Sequence, residues 1–171
     1  MPSTIYLSVG SNIGDKESNI ASCLAMLGTY VENTDIKTSS FYLSEPLYNT
    51  DQPSFINLIV KMNTAFTPFQ FLDKIRDIEN MLGRKKNRKI NAPRTIDIDI
   101  IIFGDVFMET PELTIPHSHA LLRKFVLVPL AELEPNKIFP GTKYKMIDLL
   151  DKCPDTSTVD KYLINKAAWA N

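Results

Sequence analysis

The chain has little of what disulfide-rich proteins, thiolate metal sites and membrane proteins require. Its two cysteines, Cys23 and Cys153, are far apart in the sequence and neither belongs to a CxxC motif, so we expect no disulfide framework and no thiolate metal site. No apolar run approaches the length of a bilayer-spanning helix, and the N-terminus lacks a basic segment followed by an apolar stretch. These absences predict a cytoplasmic protein without a membrane partner.

Strong charge of one sign is also absent, since the net charge is -1 and the sequence pI is about 6.1. Any binding of phosphate or nucleic acid must then depend on a local basic cluster. The chain contains no GKS or GKT phosphate loop, no GxGxxG loop, no RNP aromatic pattern and no GxSxG motif. These missing motifs disfavour Walker-type NTPases, protein kinases, RNA-binding sheets and serine nucleophile enzymes.

What is present is an alternation of strand and helix patterns in 171 residues, of which 44% are apolar, as suits a single domain with one core. Alternating apolar residues predict strands, which we place at 4–10, within 34–43, at 56–62 and at 96–102. Capping signals and helical spacing predict two helices, one over 16–28 after Asp15, and one after the Thr67 and Gln70 capping box that ends at Gly83. The apolar face of the second helix should include Phe69.

This order of elements defines the expected fold class. Strand, helix, strand, strand, helix and strand follow one another over residues 4–103, which is the order of the ferredoxin-like βαββαβ unit. We therefore predict an α+β fold with a ferredoxin-like core and additional C-terminal elements. These elements comprise a short strand near 106–108, partial helix over 119–133 and a short amphipathic helix near 146–152.

The stretch TIDIDIIIF places two aspartates within a strand pattern. Because Ile96, Ile98, Ile100 and Ile102 alternate, we expect them on one buried face, with Asp97 and Asp99 together on the opposite face. Two adjacent carboxylates repel unless a positive charge lies between them, and Mg²⁺ is a suitable cation. The alternative is a solvated strand face with two incidental aspartates.

A basic cluster precedes this strand. It contains no acidic residue and consists of Arg84, Lys85, Lys86, Arg88, Lys89 and Arg94. Guanidinium groups next to a metal-binding carboxylate pair are what a polyphosphate bound with Mg²⁺ requires. A solvated basic loop is the alternative, and a nucleic-acid contact is disfavoured because the carboxylate pair would repel phosphodiesters. His117 and His119 form an HxH pair that is a weak zinc signal; His117 could equally bind phosphate together with Arg123.

Six segments, taken in order, resemble the 6-hydroxymethyl-7,8-dihydropterin pyrophosphokinase family of folate biosynthesis. They are GSNIGD, SSFYLSEPL, DQPSFINLIV, IENMLGRKK, APRTIDIDIIIFGD and LTIPHSHALLRKFVLVPLAEL. The resemblance implies a single pyrophosphokinase domain over 1–171. It also implies transfer of pyrophosphate from ATP to the hydroxymethyl group of the reduced pterin, release of AMP and participation of two Mg²⁺ ions, with no nucleic-acid partner.

The resemblance implies roles for individual residues. Asp97 and Asp99 would bind the metal and, with Arg84 and Arg94, would form the catalytic group. The ATP-binding positions would be Glu79, Arg84, Arg94, His117 and Arg123, and the pterin-binding positions Ser44, Leu47, Phe55, Asn57 and Phe125. Phe55 and Phe125 would stack on the two ring faces, while the amide of Asn57 would bind the polar ring edge. The residues alone would instead favour ordinary core aromatics and an exposed asparagine.

Two departures from the family pattern leave a second function open. Asn91 stands where the family commonly has tryptophan, and Lys86 stands where a second arginine is frequent. A protein that binds pterin or nucleotide but has lost transfer is therefore the alternative. The retained Arg94, Asp97 and Asp99 favour the enzyme. The sequence does not indicate the oligomeric state.

Overall fold

The computed structural model of the chain describes residues 2–31, 36–48, 50–84 and 92–164. Its strands are β1 (Ser3–Ser11), β2 (Lys37–Thr38), β3 (Phe41–Ser44), β4 (Phe55–Thr64), β5 (Asp97–Phe103), β6 (Met108–Glu109), β7 (Thr114–Ile115) and β8 (Val159–Tyr162). Its α-helices are α1 (Lys16–Gly28), α2 (Pro68–Met81), α3 (Lys124–Leu133) and α4 (Met146–Asp151), and a 3₁₀ helix spans Ala120–Leu122. In these ranges no helix has both the length and the apolar character needed to cross a membrane.

Within the described residues, the main sheet has six strands. Its order is β5-β1-β4-β3-β8, with β2 also paired to β4, and every pairing is antiparallel. The strands β6 and β7 form a separate small hairpin. Helices and an antiparallel sheet in one unit confirm the predicted α+β class.

The two predicted helices begin where their capping signals lie. The carboxylate of Asp15 accepts a hydrogen bond from the Ser18 amide at 3.0 Å, which satisfies one free N–H at the start of α1. At the start of α2, Thr67 and Gln70 form the reciprocal capping box, followed by Pro68 in the first turn. These local contacts explain why both helix starts follow from the sequence.

The helices cover both faces of the sheet and create two apolar layers. On one face, α1 and α2 pack against alternate residues of β1 and β4, including Ile5, Leu7 and Leu58. On the other face, α3 and α4 pack against Tyr6, Ile59 and neighbouring residues. The pocket described below opens on the second face, at the edge of the layer that α3 forms.

The prediction that four alternating isoleucines, three of them in β5, face the same core layer is wrong for the last of them, Ile102. Tyr6 lies opposite Ile102 and Leu7 lies opposite Ile100, so one extra residue, Ile101, enters this strand as a bulge. Ile98 and Ile100 pack against the layer of α1 and α2, whereas Ile102 packs with α3 and α4. Because the bulge comes after Asp99, the two aspartates keep the shared face that the alternation predicts.

Three further expectations differ from the structure. Phe69 is 41% exposed, and Phe71 instead fills the core from α2. The predicted second strand is divided into β2 and β3, since Ser39 interrupts it while its hydroxyl accepts from the Ile59 amide at 2.9 Å. The predicted C-terminal elements do not include strand β8, and the predicted partial helix over 119–133 consists of a 3₁₀ turn followed by α3, which contains Pro129.

Candidate active site

A cavity of about 200 Å³ opens beside the carboxyl-rich start of β5 and the neighbouring ends of β1 and β4. Most of the predicted site residues line it: Ser44, Leu47, Phe55, Asn57, Arg94, Asp97, Asp99, His117, Arg123 and Phe125. Glu79 and Arg84 do not line it, but Arg84 reaches Asp97 from behind, with Nη1 2.9 Å from the carboxylate. The fold thus assembles residues from segments that are far apart in the sequence.

One half of the pocket is charged, and Asp97 lies at its centre. Its carboxylate forms ion pairs with both Arg84 and Arg94. Arg84 also pairs with Glu79, whose carboxylate accepts from the Ile98 amide at 3.0 Å. Burial raises the pKa of Glu79, and Arg84 offsets only part of that effect. Glu79 therefore contacts both Arg84, which pairs with Asp97, and strand β5, which contains Asp97 and Asp99.

Asp99 has a different environment from Asp97. It lies opposite the buried Ser8 in β1, and among the described residues it pairs with Nη1 of Arg123 at 4.0 Å. Its side chain is 37% exposed and lines the pocket. Burial and the neighbouring Asp97 carboxylate raise the pKa of Asp99 to about 7. Asp99 is thus the carboxylate whose negative charge is least compensated.

Arg123 lies between the charged and apolar halves. Its guanidinium carbon is 5.9 Å from the ring centres of both Tyr48 and Phe125. The side chain is only 17% exposed, and its Nε has no hydrogen-bond partner among the described residues. A buried donor of this kind is costly unless something accepts from it. The guanidinium lines the pocket and offers positive charge to an anionic ligand there.

His117 is neutral at physiological pH, because burial and the nearby Arg123 lower its pKa to about 4. Its Nδ1 accepts a hydrogen bond from the His119 amide at 3.1 Å. The ring proton then resides on Nε2, which makes this nitrogen a donor. His119 lies outside the pocket lining. In the described residues, no group of three or more His, Cys, Asp or Glu side chains converges, so the weak zinc interpretation has no support there.

The pocket lining also includes aromatic and aliphatic side chains and one buried amide. Phe55 and Phe125 contribute aromatic rings, and Leu47 contributes an aliphatic wall. Asn57 is 3% exposed, and its amide nitrogen donates to the Ser44 hydroxyl at 2.7 Å. This bond orients the amide, so the predicted exposed-asparagine alternative is wrong.

Sequence reasoning missed two residues that shape this pocket. At Gly10, an added Cβ would lie 2.5 Å from Oδ1 of Asn57, so only glycine leaves room for the amide. Asn12 is 1% exposed and donates to Gln52 Oε1 at 3.0 Å and to the Pro53 carbonyl at 3.1 Å, while its own Oδ1 accepts from the Arg94 amide at 2.7 Å. The only local sign of either role is the small polar sequence GSN at the end of β1.

Fold and site together define an α+β protein whose pocket joins a carboxylate and arginine cluster to a flat aromatic compartment. The sequence profile of the 7,8-dihydro-6-hydroxymethylpterin-pyrophosphokinase family matches residues 6–135. The chain belongs to this family.

Relatives of known name agree with that assignment. The chain is 35% identical over 150 residues to the "2-amino-4-hydroxy-6-hydroxymethyldihydropteridine pyrophosphokinase" of Pseudomonas aeruginosa, covering 88% of this chain and 91% of the relative. The Bacillus subtilis protein of the same name is 39% identical over 133 residues, covering 78% and 79%.

Longer proteins also match. The "Folic acid synthesis protein fol1" of Schizosaccharomyces pombe is 39% identical over 168 residues, but this chain spans 95% of its own length and only 23% of that relative. Wild-type Plasmodium falciparum HPPK-DHPS superposes with a TM-score of 0.72 at 17% identity, covering 89% of this chain and 45% of that one. This structural likeness supports the fold.

Proposed function

We propose that this protein transfers pyrophosphate from ATP to the hydroxymethyl group of 6-hydroxymethyl-7,8-dihydropterin, yielding the pterin diphosphate and AMP. The observation that carries the proposal is that one pocket is lined by both a charged group of side chains and an aromatic group with a buried amide. Carboxylates and arginines on one side suit a polyphosphate, and aromatic rings with an oriented amide on the other suit a flat polar ring. Family membership makes the reaction that of a pyrophosphokinase.

Asp97 and Asp99 are the residues that would hold Mg²⁺. The fit rests on two oxygen-donor side chains on one strand face, of which Asp99 has Arg123 at 4.0 Å as its ion-pair partner among the described residues. Mg²⁺ commonly takes one or two protein carboxylates and completes its shell with water and phosphate oxygens. When bound, it would neutralise charge on the phosphates during transfer. We propose two Mg²⁺ ions because the family resemblance implies that number.

The residues of the chain would act mainly by positioning. Phe55 and Phe125 would hold the pterin ring, and Asn57 would bind its edge, so that the hydroxymethyl oxygen faces the β-phosphorus of ATP. The new bond joins that oxygen to the β-phosphorus, while the bond between the β-phosphorus and the oxygen bridging to the α-phosphate breaks and AMP leaves. The hydroxyl proton passes to solvent, because no side chain of the described pocket is assigned as its base.

The cationic residues would stabilise the triphosphate. Arg94 and Arg123 line the pocket, and the neutral His117 offers an Nε2–H donor. Arg84 and Glu79 would act on the ATP side through Asp97, because Arg84 contacts both carboxylates. Ser44 would contact the pterin next to Asn57, and Leu47 would do so from the facing loop. Charge neutralisation by fixed groups requires little rearrangement during the reaction.

We also propose a ferredoxin-like βαββαβ core and a single pyrophosphokinase domain over 1–171. The sheet order β5-β1-β4-β3, with α1 and α2 on the same face, supports this core. A cytoplasmic location stays a prediction. The binding-module alternative is disfavoured, since relatives that align over most of their length are named as pyrophosphokinases. Asn91 and Lys86, which suggested it, lie outside the described residues.

The test is formation of AMP from ATP by the full chain with Mg²⁺, with and without the reduced pterin. We expect AMP to form only when both ATP and pterin are present, in a 1:1 ratio to pterin diphosphate. Asp97→Asn serves as the matched control, since it should fold but form little AMP. If the protein binds both ligands but forms no AMP, the proposed enzymatic function is wrong and the protein is instead a pterin- or nucleotide-binding module.

A further inference from the structure

A C-terminal arm, which we define as Cys153–Tyr162, contacts two elements that carry pocket residues, helix α3 and strand β3. It lies beyond residue 135, where the match to the family profile ends. Near its start, Asp155 binds the first residue of α3. Near its end, β8 pairs with β3, and Val159 lies opposite Ser44. Both partners adjoin residues assigned above to the pterin compartment.

Helix α3 begins without a cap from its own N-cap residue. Arg123 occupies that position, but its side chain makes no capping hydrogen bond and lines the pocket instead. The first N–H groups of a helix have no partner within the helix. Here Oδ2 of Asp155 accepts from the Lys124 amide at 2.8 Å. A residue distant in sequence thus supplies the cap that Arg123 does not.

The carboxylate of Asp155 is itself held in place. Its Oδ1 accepts from the Ser157 amide at 2.9 Å. Burial alone would raise its pKa, but the hydrogen bonds from Ser157 and Lys124 outweigh burial, and the pKa is lowered. A negative charge at a helix N-terminus is also favoured by the helix dipole. Asp155 is therefore ionised at neutral pH.

The residue that Asp155 binds lies between two pocket residues. Arg123 precedes Lys124 and approaches Asp99 to 4.0 Å, and Phe125 follows it and lines the aromatic compartment. Displacement of the Lys124 backbone would move both side chains. The arm is anchored at its other end by β8 and by the Tyr162 hydroxyl, which donates to Glu17 of α1 at 2.8 Å.

We propose that Asp155 is a positioning residue, which fixes Arg123 and Phe125 by capping α3 from the C-terminal arm. This inference rests on the proposed function, because these two side chains are assigned there to ATP and pterin. Asp155 does not line the pocket, so it acts through the Lys124 amide.

The test compares Asp155→Ala with Asp155→Asn and with Asp160→Ala in the full chain. Asparagine retains one side-chain oxygen, which can accept from the Lys124 amide, but it cannot also accept from the Ser157 amide as aspartate does. Asp160 is exposed on the same arm and provides a matched control. Two measurements are made on each variant: amide hydrogen exchange of Lys124 and steady-state kinetics of pterin-dependent AMP formation.

In Asp155→Ala, the Lys124 amide should lose protection, and KM for pterin and for ATP should each rise about fivefold, the factor that corresponds to loss of a typical cap. The kcat should change less, by about twofold at most, because Asp97, Asp99 and Arg94 are held by other elements. Asp155→Asn should have KM values and Lys124 protection between those of Asp155→Ala and the wild type, because it can keep the bond to Lys124 but loses the bond to Ser157. Asp160→Ala should match the wild type.

The outcomes separate this inference from the proposed function. A wild-type protein that forms no pterin-dependent AMP would overturn the proposed function, whatever the exchange of Lys124. With active wild type, unchanged KM values in Asp155→Ala would overturn the positioning role. A lower kcat at unchanged KM would also do so, since a smaller folded fraction explains it. If Asp155→Ala does not fold, Asp155 is needed for stability and the proposed positioning role is overturned.

Discussion

Replacement of Asp99 by asparagine should stabilise the metal-free protein at pH 8, although the carboxylate is assigned to metal binding. In the folded protein, burial and the Asp97 carboxylate raise the pKa of Asp99 from 3.8 to about 7. Between these pH values the folded state keeps a proton that the unfolded state has released. Stability therefore falls as pH rises from about 4 to about 7, and the cost persists at higher pH.

The size of this cost follows from the shift and the exposure. Each pH unit corresponds to 1.36 kcal/mol, so the difference between 3.8 and about 7 would give about 4 kcal/mol for a fully desolvated group. The Asp99 side chain is 37% exposed, and solvent screens part of this energy. We expect Asp99→Asn to raise the free energy of unfolding by about 1 to 2 kcal/mol at pH 8, and by almost nothing at pH 4.

The assay is urea denaturation of both proteins with a chelator present, from pH 4 to pH 8.5. Asp97→Asn is the control, because its carboxylate pairs with Arg84 and Arg94 and its loss leaves two guanidinium groups together. We expect that variant to be destabilised by about 1 to 3 kcal/mol instead. Added Mg²⁺ should stabilise the wild type more than Asp99→Asn. If the free energies of unfolding of Asp99→Asn and wild type differ by the same amount at pH 4 and pH 8, the raised pKa of Asp99 does not reduce stability and the prediction is wrong.

Three more predictions concern the pterin compartment. Phe55→Ala and Phe125→Ala should weaken pterin binding more than ATP binding, since each removes a stack worth about 0.5 to 1.5 kcal/mol beyond area burial; equal losses in calorimetry would indicate ordinary core residues. Gly10→Ala should reduce pterin affinity about tenfold or more, because its Cβ would displace the Asn57 amide, and normal affinity would contradict that requirement. Asn91→Trp should tighten pterin binding when a non-hydrolysable ATP analogue is present, and unchanged affinity would exclude position 91 as a lid contact.

Local signals in the sequence were sufficient for much of the fold. The Asp15 cap and the Thr67–Gln70 capping box act over three residues, so both helix starts could be located without tertiary information. Alternation likewise predicted that Asp97 and Asp99 share a face, and the pocket contains both. Interactions between near neighbours depend little on the rest of the chain, which is why these predictions are confirmed.

Features that depend on pairing between distant segments could not be obtained this way. The bulge at Ile101 reflects the register between β5 and β1, and β8 exists because β3 offers it an open edge. The different environments of Asp97 and Asp99 also arise from distant residues, since Arg84 and Arg94 approach one and Arg123 approaches the other. The sequence predicted two equivalent aspartates on one strand face. In the fold, Asp97 pairs closely with two arginines, whereas Asp99 has one arginine at 4.0 Å, because charge compensation depends on distances in space.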